Sequence, residues 1–293
     1  MIDEKLVYEN SKGQSIQFGN EKPFILVNVA GTGNAEVDVQ TQKAPFQDGA
    51  TYIDSLLMQR DISLTVLVLA ENQEELFMRR AELQSVLNPK IGPGALIYDY
   101  GIDKKLIEAV PSVLPAFVPG EENRTSVSQV AQIEITCPDP FWRVDYAIEE
   151  PMAAFVGMFE FPLGIPESEG IEMGTEGEIR VLLNNGDVTA PVEIEFKGPC
   201  TNPRIDNHTT GEFIKVNQEL GENDVLYINT AFGNKRVEIK DEDGIATNAF
   251  GWIDLASTFW QLQPGENEIE YTADTGQENA TLMVSWRERY LGV

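Results

Sequence analysis

The second half of this 293-residue chain is punctuated at short intervals by residues that turn a backbone. Asn185-Gly186-Asp187 precedes Pro191, Asn202-Pro203 precedes Thr210-Gly211-Glu212, and Pro264-Gly265-Glu266-Asn267 follows. Between these marks apolar and polar residues alternate: Val192, Ile194 and Phe196; Ile269 and Tyr271; Leu282, Val284 and Trp286. Period-two alternation bounded by Gly, Pro and Asn marks strands with one buried face, and a series of them predicts an antiparallel β-sandwich. The region closes on Trp286-Arg287-Glu288-Arg289-Tyr290.

The first half has the same grammar with one interruption. Strands are expected around Leu6–Tyr8, Ser15–Phe18 and Phe24–Val29, and Val37 and Val39 continue the alternation until residues 44–49 break it. From Arg60 onward Ile62, Leu64, Val66 and Val68 share one face, while the other turns apolar at Leu67 and Leu69, so something should cover that end. The cover is at hand. Asn72 with an acidic residue three positions on approaches a capping box, and Leu76, Phe77, Leu83 and Leu87 follow at helical spacing until Asn88-Pro89. Arg80 falls on that apolar side, either snorkelling to water or forming an ion pair with another subunit. A hairpin is expected over Leu96–Tyr100 and Lys105–Val110, and a strand carrying Ala131, Ile133 and Ile135 ends before Cys137-Pro138-Asp139-Pro140. Two prolines in four residues do not sit inside a sheet, which puts the boundary near 145–151 and the domains at 1–147 and 148–293. The Glu/Gly-rich stretch Glu167–Glu178 reads as a solvated loop.

Charge and cysteine content narrow the function classes. The net charge of −27 divides into 12 Lys+Arg against 21 Asp+Glu up to residue 147, and 9 against 27 beyond it. Such a surface repels phosphates, which argues against direct nucleic-acid binding and reads first as solubility. Cys137 and Cys200 make neither a disulfide framework nor a metal cluster and are expected as free thiols. No apolar run approaches the roughly 20 residues of a membrane helix, and the start lacks a secretory signal, so a soluble chain folded in a reducing cytosol is expected.

The residues offer little chemistry. His208, the one histidine, lies in a turn, and no Gly-x-Ser-x-Gly elbow exists. Gly31-Thr32-Gly33-Asn34-Ala35-Glu36 starts like a dinucleotide fingerprint but has Glu at the third glycine and is followed by strand-like alternation. Asp241-Glu242-Asp243-Gly244 reads as a turn, lacking the remaining ligands of a calcium loop. Trp252, Phe259, Trp260 and Tyr271 either fill the sandwich core or form a sugar-stacking face. No catalytic, cofactor-binding or metal-ligating residue is expected, although paired carboxylates can be remote in sequence.

Several pieces, taken in order, carry a family resemblance. They are the Asp48-Gly49 turn before the long strand, the helix with Arg79, Arg80 and Leu83, Gly92 and Gly94 before Leu96-Ile97-Tyr98, the closing Asp139-Pro140-Phe141, and the turn order of the second half. Together they resemble the distal tail proteins of long-tailed bacteriophages (siphophages), over nearly the whole chain apart from residues 152–177. The resemblance implies a mainly β fold: an N-terminal, sandwich-like ring domain with one main helix, and a C-terminal galectin-like β-sandwich. It implies a non-enzymatic hub of the virion tail tip or baseplate, assembled in the host cytoplasm. Six copies would form a homohexameric ring joining the major tail tube protein to the tail-tip proteins, a tail-associated lysin or receptor-binding protein. DNA would pass through the lumen, with no membrane and no cofactor involved. The competing readings are a lectin-like carbohydrate-binding module and a cell-wall glycosidase.

Overall fold

The structure, a computed structural model, describes residues 4–153 and 179–293. It divides into two compact units, Met1–Asp145 with Arg289–Val293, and Tyr146–Glu288. The last five residues therefore leave the second half of the chain and belong to the first unit, which division at a single residue number does not capture. The expected loop Glu167–Glu178 lies outside the described residues.

In the first unit, strands β1 (Lys5–Glu9), β2 (Ser15–Phe18), β3 (Phe24–Ala30), β4 (Val37–Gln42), β5 (Thr51–Leu57) and β6 (Arg60–Leu69) precede helix α1 (Gln73–Val86). Strands β7 (Gly94–Asp99), β8 (Lys104–Pro111), β9 (Ala116–Phe117), β10 (Ser128–Cys137) and β11 (Trp142–Val144) follow it. The main sheet runs β2-β1-β7-β8-β10-β6-β3. Its two ends approach each other: Gly19 bridges Ile25, and the Leu26 N–H donates to the Gly19 carbonyl at 2.8 Å. The sheet thus curls back on itself, its halves face one another as the two layers of a sandwich do, and those end-strand groups are paired there. The alternation explains the interior. Leu6, Tyr8, Phe18, Ile62, Leu64, Val66, Val68, Leu96, Ile107, Ala131, Ile133 and Ile135 are all buried in one core.

Helix α1 packs on the other side of β6 from the one expected: its buried residues join the core of Ile62, Leu64, Val66 and Val68, while Leu67 and Leu69 stay half-buried outside that core. Asn72 Oδ1 accepts from the Glu75 N–H at 2.9 Å, and Glu75 reaches back to accept from the Glu71 N–H at 2.9 Å. The reciprocal cap is thus shifted by one residue from the usual capping box. Leu76, Leu83 and Val86 are buried, with Leu87 just beyond. Phe77 is not part of that face. It is 49 % exposed, the turn of about 100° per residue setting it to the side of buried Leu76.

The second unit is an antiparallel sandwich. Its larger sheet orders Ile148–Ala153, Thr281–Trp286, Ala190–Lys197, Val225–Asn229, Arg236–Lys240 and Ala246–Asn248, with Gln261–Leu262 pairing off this path. The smaller sheet orders Arg180–Asn184, Gly265–Thr272, Arg204–Asn207 and Glu212–Lys215. In the central strand Ala190, Val192, Ile194 and Phe196 are buried while Glu193 and Glu195 face out. The partners Ile269, Tyr271, Leu282, Val284 and Trp286 are buried in the same core. The turn glycines Gly211 (74°) and Gly265 (92°) adopt a positive φ.

Candidate interaction surfaces

Strands β4 and β5 pair with each other as a separate two-stranded sheet. Every residue of β4 is exposed, as are the first six of β5. Their side chains are not those of a solvated hairpin. Val39, Tyr52 and Ile53 are each more than half exposed, and Phe46 at the tip is fully so. Opposite residues share a face, so Val37, Val39, Tyr52 and Leu57 line one side. Asp38, Asp54 and Leu56 line the other, beyond a register shift at Gln40/Thr41. The tip is built locally: Gln47 accepts from the Ala44 N–H at 3.0 Å and donates to Thr51 Oγ1 at 3.2 Å. A two-stranded ribbon with apolar residues on both faces is marginal in water alone.

The root of this hairpin is gripped by Arg60, which is 1 % exposed. Its Nη1 donates to the carbonyls of Gly31, Thr32 and Asn34 at 2.9, 3.0 and 2.9 Å. Its Nε donates to the Pro140 carbonyl at 2.9 Å, and Nη2 to the Leu291 carbonyl. Burial works against its charge, but carbonyl dipoles surround it. The apparent dinucleotide fingerprint is therefore a structural turn. A Cβ on Gly31, whose φ is 95°, would lie 2.1 Å from the Asp61 carbonyl oxygen. Sequence reading placed Arg60 only as the start of a strand. The signal for more is its phase: it stands on the face of Ile62 and Leu64, where a cation needs partners.

The terminal Trp286–Tyr290 motif also resolves into separate tasks. Within the second unit Trp286 enters the core, and buried Glu288 accepts from Asn185 at 3.1 Å (backbone N–H) and 2.9 Å (Nδ2). Within the first unit Arg289 grips both oxygens of Asp139 at 2.7 and 2.8 Å, its guanidinium 4.2 Å from the Phe141 ring centre. The strand Arg289–Tyr290 pairs with β11. Asn185 is thus a partner of Glu288 within the second unit, and Asp139 and Phe141 are partners of Arg289 within the first.

On α1 the exposed side carries Phe77 and Met78. The Arg80 guanidinium lies 4.2 Å from the Phe117 ring centre and 5.5 Å from that of Phe77. Arg124 lies 6.0 Å from the Phe77 ring centre on its far neighbour loop. Arg79, by contrast, is paired with Glu75 (3.3 Å) and Glu82 (3.0 Å).

The remaining candidates hold no reactive arrangement. His208 Nε2 lies 2.7 Å from Glu270 Oε2 on the exposed surface. Both cysteines are free and buried, and burial pushes each thiol up to about 12, away from thiolate reactivity. Asp241 Oδ1 accepts from the N–H groups of Asp243 and Ile245, so it closes a turn. Among the described residues no group of three or more His, Cys, Asp or Glu could hold a metal ion. The four aromatics are divided. Trp260 and Tyr271 are buried in the core, Trp252 is 37 % exposed, and half-buried Phe259 stacks on Phe250 at 5.6 Å. No helix among the described residues is long and apolar enough to cross a membrane.

Comparison with known proteins follows the two units. Residues 11–137 match the phage tail protein RIFT-related domain, and residues 185–290 match the siphovirus-type tail component, C-terminal domain. No curated protein sequence matches the chain. Among solved structures the fold is similar to that of the Dit protein (gp 19.1) of phage SPP1, a hub of the adsorption apparatus in phages of Gram-positive hosts. That match has a TM-score of 0.68 at 14 % identity and covers 98 % of this chain and 99 % of that one. It is also similar to a chain of the phage P2 baseplate, with a TM-score of 0.56 at 12 % identity over 100 % of both chains. With both tail-component domains present in order along one chain of this fold, the protein belongs to the siphophage distal tail protein family, structural components of the tail tip and baseplate.

Proposed function

We propose that six copies of this chain form a closed ring at the tail tip, joining the tail tube protein to the tail-associated lysin or receptor-binding protein. In this reading residues 1–147, with the terminal strand, build the ring, and residues 148–293 project from it to meet tail-tip partners. The protein performs no catalysis; its work is interface geometry. The observation that carries the reading is the β4–β5 hairpin, anchored rigidly at its root by Arg60 yet exposing Val39, Phe46, Tyr52 and Ile53. Contiguous exposed apolar surface on a structural protein supports a docking role. A projecting element that seats on a different patch of an identical neighbour makes a heterologous contact, and such contacts close into rings when the rotation fits. DNA would pass through the lumen without adhering, which an acidic chain favours. Division of the aromatics between core and surface removes the four-residue sugar-stacking face on which a lectin reading would rest. Electron cryo-microscopy of tails carrying this protein is expected to show one six-fold ring of it at the distal end of the tube. A single copy, or a ring of another order, would refute the hexamer.

A further inference from the structure

Arg60 shows how this fold treats a guanidinium it needs internally: buried, with five carbonyls as acceptors. Arg80 and Arg124 are treated otherwise. Their heads flank the same ring, Phe77, and Arg80 stacks on Phe117 as well. Arg80 Nε is shielded from solvent and has no hydrogen-bond partner, and neither guanidinium forms an ion pair with a carboxylate among the described residues. Desolvation, and then the nearby Arg124 cation, disfavour the charged form of Arg80. Two like charges held beside exposed Phe77 and Met78, on a chain of net charge −27, form a half-built binding surface: apolar, cationic and lacking an anion.

The complementary half is present on the same chain. Residues 36–58 carry Glu36, Asp38, Asp48 and Asp54 against Lys43 alone. Asp38 and Asp54 are diagonal neighbours on one face of the β4–β5 hairpin, about 7–8 Å apart by strand geometry. Leu56 shares that face, and all three residues are exposed. One surface is thus apolar with two cations, and the other apolar with two anions.

We infer that, in the ring proposed above, the Asp38/Asp54/Leu56 face of one copy's hairpin seats on the Phe77/Arg80/Arg124 surface of the next copy. The inference rests on that ring and adds what holds neighbours together. Two bidentate-capable guanidiniums meet two carboxylates, and Leu56 meets the exposed helix face. Because donor and acceptor surfaces differ, each copy offers one of each, which is what head-to-tail closure requires.

Charge reversal of the full-length chain tests this by native mass spectrometry and sedimentation. R80E/R124E and D38R/D54R are each expected to lose self-association by about tenfold or more, with melting temperatures held near that of the unaltered protein. Mixing the two variants should restore assembly with strict alternation, since each surface then finds its opposite charge. The chain carrying all four substitutions should assemble alone. Assembly that survives both reversals would overturn the contact while leaving the ring intact. Variants that remain dissociated on mixing would overturn the pairing of these surfaces. Loss of binding to another tail protein in R80E/R124E, with self-association unchanged, would give the arginine surface a different occupant and overturn the inference. An unaltered chain monomeric both alone and within assembled tails would remove the ring itself.

Discussion

Strands β5 and β6 are separated by Met58 and Gln59 and are written in the same alternating grammar, yet they meet opposite environments. In β6 the residues Ile62, Leu64, Val66 and Val68 are at most 1 % exposed; in β5 Tyr52, Ile53 and Leu56 are about half exposed. The difference lies in the neighbours. Strand β6 sits between β10 and β3, its inner face in the core that α1 also enters, whereas β5 pairs with β4 alone among the described residues. Alternation therefore encodes that a face will be covered, and says nothing about whether the same chain supplies the cover. In a protein built for assembly, that distinction separates the core from the docking surface.

The sharpest break between the two regions should come at Arg60, where β6 begins and the hairpin is anchored. Arg60→Met keeps most of the stem but leaves the carbonyls of Gly31, Thr32, Asn34, Pro140 and Leu291 without their donor. Buried polar groups stripped of a charged partner are costly, and a loss of about 3–5 kcal/mol is expected in denaturant unfolding. A loss below about 1 kcal/mol would mean that water replaces the guanidinium and that the hairpin root is not held as described.

One substitution made on both sides of the comparison isolates its cause. Leu64→Ala in β6 should destabilise the chain by about 2–5 kcal/mol, the range for a buried leucine that leaves a cavity. Leu56→Ala in β5 should stay within about 0.5 kcal/mol of the unaltered protein, as an exposed site does. The order should invert when assembly is measured at a temperature where both chains are folded, with Leu56→Ala the more damaging. Equal effects on unfolding would show that the hairpin packs against its own chain in solution.

Much of the fold was legible because it depends on local rules. The strands of both units, the Asn72 cap and the turn glycines follow from period, capping chemistry and backbone sterics, which neighbouring residues settle. What sequence reading missed depends on distant partners. Phe77 fits a helical apolar stripe by spacing, but the stripe that β6 covers is narrower and centred on Leu76 and Leu83. The grip of Arg60 draws acceptors from three separate stretches of chain, and no window around residue 60 contains them. Return of Arg289–Val293 to the first unit is set by the Asp139 salt bridge and the pairing with β11, both remote in sequence. The candidate surfaces were half visible. Arg80 stood out on an apolar face, but its lack of an internal acceptor is a statement about the whole fold.

The smallest effect concerns the helix that makes β6 differ from β5. If α1 is the cover for β6, loosening its first turn should weaken the first unit, though only by the worth of a cap. Asn72→Ala removes the acceptor for the Glu75 N–H and should cost about 1 kcal/mol. Glu75→Gln should cost less, because that carboxylate is exposed. The Glu71 N–H and, more weakly, Arg79 nevertheless hold its pKa below the usual carboxylate value. A depressed folded pKa contributes stability above the unfolded value and loses it as pH falls through the folded one. The Glu75→Gln difference should therefore be full at neutral pH and fade in the acid range, while the Asn72→Ala difference, involving no titrating group of its own, should persist. Thermal melts of both variants across that range check the pair. A Glu75→Gln deficit that persists undiminished in acid would show that the carboxylate's charge does not contribute to the cap, leaving Asn72 to hold the first turn.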